Sequence, residues 1–274
     1  MIAPSMSMIK VSPDCDLAYQ VDDFVEPWQA HDAILLLHGN SESSAAWFAW
    51  VPHLARRFRV IRPDMRGFGM STAMPRNFAW SIDGIIDDFV RLMDHLGIQR
   101  FHLVGAKIGG TISLRFAARH PARVLTLAVL GAPDAGMGEL LTRVQPWLAH
   151  IEQHGVESWA RMTMPGRLGS SFPAAGVEWW SRYMGSTSAA TQLGFISSIS
   201  TIDVTAELPK IQCPTLVITT EGHSLSSVDG TRAWTSKIPR GELLVMSGDS
   251  YHVAVTAPDA CAKATLDFID RVSA

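Results

Sequence analysis

The sequence predicts a doubly wound, mostly parallel α/β sheet with a helical cap insertion, and three observations predict it. Short, continuously apolar runs recur along the chain, amphipathic helical patterns fall between them, and one stretch past the middle breaks the alternation with tryptophan and methionine. Strands covered on both faces must be apolar throughout. When they alternate with helices they form a parallel sheet that binds ligands at its carboxyl ends.

The elements follow in order. AILLLHG (33–39) is a short apolar run closed by glycine, as a buried strand requires. RFRVIRPD (57–64), RFHLVGA (100–106) and TLAVLGAP (126–133) supply three more strands. Between them, 80–97 places Ile82, Ile85, Phe89, Leu92, Met93 and Leu96 three or four residues apart, one apolar face of a helix. PTLVITT (214–220) and ELLVMSG (242–248) are late strands, and 257–272 is a closing amphipathic helix. The stretch 137–205 carries Trp147, Trp159, Trp179, Trp180, Met162, Met164 and Met184 without a strand pattern, and reads as a helical lid over a small-molecule pocket. The expected division is therefore a core of 1–136 and 206–274 with a cap of 137–205.

Composition narrows the function. A net charge of −3 over 274 residues gives no reason to expect nucleic acid or an anionic membrane as partner. No apolar run approaches the roughly 18 residues that span a bilayer. The start MIAPSMSMIKV lacks the basic-then-apolar pattern of a secretory leader. Cys15, Cys213 and Cys261 lie far apart, without metal-ligand spacing, and read as reduced thiols of a cytoplasmic protein. The expected partners are a small-molecule substrate and, as a homodimer, a second copy of the chain, with no cofactor and no metal.

The strongest local signal is Val104-Gly105-Ala106-Lys107-Ile108-Gly109-Gly110, where a strand runs into Gly-x-Lys-x-Gly and then a helix over 111–119. A turn this sharp needs small residues two before and two after its centre, and it thrusts the central side chain above the sheet. The arrangement resembles the nucleophile elbow of the α/β-hydrolase fold. His38-Gly39-Asn40 is similar to that family's oxyanion loop, and Asp64-Met65-Arg66-Gly67-Phe68-Gly69-Met70-Ser71 to its structural turn between an early strand and helix. Gly248-Asp249-Ser250-Tyr251-His252 looks like the loop that delivers the catalytic histidine. The resemblance runs from about Leu17 to Ala274 with the motifs in family order. Within the family it leans towards enol-lactone hydrolases and carbon–carbon bond hydrolases.

Two positions depart from what the resemblance implies. Lysine, Lys107, stands where hydrolytic members carry serine, cysteine or aspartate, and an amide made by acylating it would resist hydrolysis. His223 stands where the family's pattern puts an aspartate, and a neutral imidazole cannot stabilise an imidazolium as a carboxylate does. Glu221, two residues earlier on the same strand face, and Asp134, past the strand 126–133, are alternative acids. The helix terminus and a dry pocket both push Lys107 towards a neutral amine, able to form an imine or take a proton. Lys107, His252, Glu221 and His223 are thus the candidate catalytic residues; His38, Asn40, Ile108 and Trp147 are candidates for holding substrate or oxyanion, His38 doubling as a hydrogen bonder of its loop. Asp64 and Arg66 read as a structural pair. The leading expectation is a cofactor-free enzyme for a small carbonyl-containing metabolite, hydrolase or carbon–carbon lyase or decarboxylase in type. The alternatives are a small-ligand-binding protein with a degenerate site and a serine hydrolase with an engineered Ser-to-Lys change.

Overall fold

The computed structural model describes residues 6–133, 140–199 and 202–273. Eight strands form one sheet among them: β1 Ser7–Ser12, β2 Cys15–Asp22, β3 Ala33–Leu37, β4 Arg59–Pro63, β5 Phe101–Ala106, β6 Val124–Leu130, β7 Thr215–Thr220 and β8 Gly241–Met246. Their spatial order is β1-β2-β4-β3-β5-β6-β7-β8. From β4 to β8 every pairing is parallel, with Leu37 opposite Gly105 and Ala106 opposite Leu130. β1 and β2 add an antiparallel edge beyond the strands that the sequence predicts. β3, β5 and β7 are buried at every position, in keeping with their mostly apolar or β-branched residues.

The helices, in chain order, are α1 Val51–Leu54, α2 Ile82–His95, α3 Ile108–Arg119, α4 Leu140–Leu168, α5 Ala174–Gly185, α6 Ala189–Ile199, α7 Val228–Thr235, α8 Val253–Thr256 and α9 Pro258–Ser273. Helix α2 starts at Ser81, whose hydroxyl accepts from the Gly84 N–H, satisfying one of the orphan donors at a helix start. It buries Ile85, Ile86, Phe89, Leu92 and Met93, five of the residues packed on one face of the sheet. Helix α9 belongs to the cluster on the other face, through Cys261, Ala262, Phe268 and Ile269. Burying a large apolar side chain contributes about 1.5–3 kcal/mol, so these two layers hold the strand ends in fixed register.

Helices α4, α5 and α6 lie between β6 and β7 and share their own apolar cluster, built from Trp159, Met164, Trp180, Met184 and Ile196. α4 is broken at Gly155, whose φ of +79° is outside helical space and suits glycine. No helix among the described residues is long and apolar enough to cross a membrane.

Candidate active site

Strand β5 delivers Lys107 into a turn with φ +55° and ψ −123°, a backbone that costs an L-residue roughly 1–3 kcal/mol unless its surroundings enforce it. The turn is enforced from both sides. The Lys107 N–H donates to the Leu130 carbonyl of β6 at 2.9 Å, and its own carbonyl accepts from the Gly110 N–H at 2.9 Å. A side chain at Gly109 would collide with the carbonyls of Leu37 and His38, so glycine lets α3 press against the end of β3. The elbow therefore forms around lysine.

The Lys107 side chain is buried, and its ammonium does not stand free. Nζ is ion-paired with Oε1 of Glu42, whose side chain is fully buried in the loop after β3. The same oxygen lies 2.9 Å from His252 Nε2, a close polar approach rather than an aligned hydrogen bond. The other Glu42 oxygen accepts from the Gly39 N–H at 2.9 Å. One carboxylate thus joins the elbow lysine, the histidine and the oxyanion loop. His252 is set by its backbone, its N–H lying 2.9 Å from Ser250 Oγ and 3.1 Å from the Arg167 carbonyl. Its ring meets Trp180 edge-on at 5.5 Å.

Burial dominates the protonation states. Desolvation pushes Lys107 down to about 8 against the opposing pull of Glu42, with Arg167 adding to the drop. Desolvation likewise pushes His252 down to about 4, again against Glu42. For Glu42, desolvation raises the carboxyl, but His252 and Lys107 outweigh it and hold the group well below the usual carboxylate range. At neutral pH the cluster is an ammonium, a carboxylate and a neutral imidazole. A pKa near 8 leaves the ammonium ahead of the amine by about ten to one at pH 7. The expected shift towards the amine is present in direction and incomplete in extent.

Of the other candidates, Asn40, Ile108 and Trp147 line a cavity of about 50 Å³ with Lys107, Arg167 and Tyr251. His38 is buried and structural in its contacts: Nε2 accepts from the Met65 N–H at 2.8 Å, so Nδ1 donates to the Gly39 carbonyl at 2.7 Å. Glu221 is exposed at the turn after β7, its N–H on the Met246 carbonyl. His223 is buried, accepts from the Leu225 N–H at 3.1 Å and sits 5.8 Å from the Tyr251 ring. Asp134 lies outside the described residues. Among the described residues no hydrogen-bond partner meets His252 Nδ1, the nitrogen an orienting acid would hold.

The expected pairing of Asp64 with Arg66 is corrected. Arg66 forks onto Asp88 at 2.5 and 2.6 Å, whereas Asp64 accepts from the N–H groups of Ser44 at 2.6 Å and Met70 at 2.8 Å. Residues two apart leave this turn on opposite errands, one binding a helix and the other closing loops. The sequence reading also missed Glu42 and Arg167. Its usable signal for Glu42 was electrostatic: a lysine buried at an elbow needs a counter-charge, and Glu42 is the carboxylate of the loop beside β5.

The α/β hydrolase fold family matches residues 32–256, and the chain belongs to that family. A putative carbamate hydrolase RutD of Caulobacter sp. strain K31 is 26% identical over 253 residues, covering 90% of this chain and 94% of its own. A 2-hydroxy-6-oxo-2,4-heptadienoate hydrolase of Pseudomonas putida F1 is 38% identical over a shorter stretch, 38% of each chain. The enol-lactonase of Burkholderia xenovorans LB400 superposes with a TM-score of 0.84 at 23% identity, covering 95% of this chain and 99% of that one. The class these homologues define is a hydrolase of the α/β-hydrolase family.

Proposed function

We propose that the chain is a cofactor-free enzyme acting on a small carbonyl-containing metabolite, with Lys107 in place of the usual serine and His252 as acid/base. One observation carries this reading: a single buried carboxylate oxygen of Glu42 meets both the Lys107 ammonium and the His252 ring. Lys107 lies against Gly39 of the loop that resembles an oxyanion loop. A charge-bearing donor held in a dry site stabilises an oxyanion or enolate where it develops. His252, neutral at pH 7, takes a proton from water or from carbon. In the hydrolytic form, water adds to the carbonyl as its proton passes to His252. The oxyanion faces Lys107, and its collapse returns the proton from His252 to the leaving oxygen or carbon. The lyase and decarboxylase forms use the same pair, with the electron pair left on an enolate that Lys107 stabilises. Residues 137–205 act as the cap, and the three free buried cysteines support a cytoplasmic setting.

The test is turnover of a panel of small esters, lactones and keto acids by the parent, Lys107→Ala and His252→Ala. Each variant is expected to lose roughly 10²–10⁴ in kcat on the substrate that turns over. Parent-level rates in both would remove these residues from the mechanism. Borohydride treatment during turnover, followed by mass spectrometry, reads the imine route directly as a mass increase on Lys107.

A second reading, a binding protein without turnover, is favoured by two features: Glu42 ties up the elbow amine, and the elbow centre carries no hydroxyl, thiol or carboxylate. It predicts saturable binding of a panel member with no product formed by any variant.

A further inference from the structure

We infer that the cavity beside Lys107 receives the carboxylate of an anionic substrate, with Arg167 as its anchor. The inference rests on the reading of this cavity as the reaction site and narrows its substrate class to carbonyl compounds that also carry a carboxylate.

Three buried arginines make the comparison on which it turns. Arg62 is 2.7 Å from Asp22 and Arg66 is 2.5 Å from Asp88, each a cation matched by a carboxylate inside the protein. Arg167 is 4% exposed, equally withdrawn from water. Among the described residues it has no such partner. Nε donates to Thr163 Oγ1 at 3.1 Å, and the guanidinium carbon lies 4.8 Å from the Trp159 ring and 5.6 Å from the Tyr251 ring. Aromatic faces steady a guanidinium and fix its plane, but they do not neutralise it. A buried charge without a counter-ion is costly, and proteins keep one where a ligand supplies the missing sign.

The cavity's charge count points the same way. Lys107 and Arg167 bring two cations to its wall, and Glu42, beside Lys107, brings one carboxylate. The repulsion is felt inside the site, since the Arg167 charge contributes to the lowered pKa of Lys107. Among the described residues, one added carboxylate balances these charges. Asn40 supplies an independent sign of an absent ligand. It is 8% exposed and lines the same cavity, and its buried Oδ1 has no hydrogen-bond partner among the described residues. A half-turn of that amide presents its NH2 to a carboxylate. Arginine is suited to this ligand because its planar fork matches the two carboxylate oxygens. With the carboxylate on Arg167, the substrate's carbonyl is left to the Lys107 side of the cavity, where the proposed chemistry takes place.

The probes are acetate and pyruvate, with acetamide and pyruvamide as neutral counterparts. They are titrated calorimetrically into the parent protein and into Arg167→Met, which keeps the apolar stem against Trp159. Acetate and pyruvate are expected to bind the parent at least tenfold more tightly than their amides. In Arg167→Met that preference disappears and pyruvate binding weakens at least tenfold, while the thermal midpoint and near-ultraviolet spectrum stay close to the parent's. Should Arg167→Met fail to fold, Arg167→Gln is read by the same criterion. Pyruvate binding that weakens less than threefold without Arg167, or a parent that holds the amides as tightly as the acids, overturns the inference. The titration reads binding, not turnover, so its failure is separate from that of the Lys107–His252 chemistry. An inactive protein that binds pyruvate through Arg167 leaves the anchor standing. An active one indifferent to the carboxylate removes the anchor alone.

Discussion

The loops after β3 and β7 each carry one glutamate, and the two sit in opposite environments. Glu42, after β3, is fully buried against Lys107 and His252; Glu221, after β7, is exposed to solvent. Sheet order explains the difference. β3 is hydrogen-bonded to β5, the strand that carries the elbow, whereas β6 separates β7 from it. A buried ammonium has to be compensated within a few ångströms, and the loop after β3, a strand adjacent to β5, brings Glu42 within that reach. The position after β7 where the family pattern expects an aspartate holds His223 instead. The scaffold has kept the elbow and the histidine loop while the charge that serves them sits on another strand end.

The largest test of that contrast is Glu42→Gln. Removing one partner of a buried ion pair leaves the other uncompensated, at a cost of roughly 3–5 kcal/mol. Urea unfolding is expected to show a loss of this size, with activity lost as well. Combining Glu42→Gln with Lys107→Met removes both charges and should recover most of the stability without restoring activity. A Glu42→Gln protein as stable as the parent would mean that Lys107 has another counter-charge, and the contrast between the two loops would fail.

The pH dependence sharpens the comparison with a smaller effect. The proposed chemistry needs His252 neutral and Lys107 protonated. Activity should therefore rise with pH through about 4, hold across neutrality and fall through about 8. An imine route needs the free amine and would rise through 8 instead. Stability carries its own sign. The folded-state pKa of His252 is depressed from 6.5, so the unfolded chain binds the proton first as pH falls. Stability drawn from this group is complete above about 6.5 and is lost between there and about 4. Glu42, also depressed, acts in the same direction, losing its contribution as pH falls below its ordinary value of 4.5. In His252→Gln, the part of the acid destabilisation that lies between pH 6.5 and 4 should shrink, as read from unfolding midpoints.

These same residues show how far the sequence could be read. The parallel strands were legible because burial on both faces leaves unbroken apolar runs such as AILLL, and the elbow because its glycines answer to backbone collisions. Strands β1 and β2 were not, since SMIKVS and CDLAYQVD mix polar with apolar residues and form no unbroken apolar run. Lys107 and His252 were found through local motifs. Glu42 sits in a run of asparagine and serines that reads as a solvated loop, and only the pairing of β3 with β5 turns that loop inward. Arg167 closes a broken helix 60 positions from the elbow, and nothing in its sequence neighbours foretells that its charge meets no carboxylate among the described residues.

The smallest effect belongs to Glu221→Gln. Its side chain is exposed, and its backbone N–H bonds the Met246 carbonyl, a contact the substitution retains. Surface changes of this kind stay within about 0.5 kcal/mol. Stability should therefore be unchanged within error, and kcat/KM should stay within about threefold of the parent. This null result carries weight beside Glu42→Gln because the two variants make the same chemical change, carboxylate to amide, and differ in burial and in neighbours. If Glu221→Gln instead abolished activity while Glu42→Gln spared it, the acid would have to reach His252 from β7 by a movement of that loop. The carboxylate between Lys107 and His252 would then be structural.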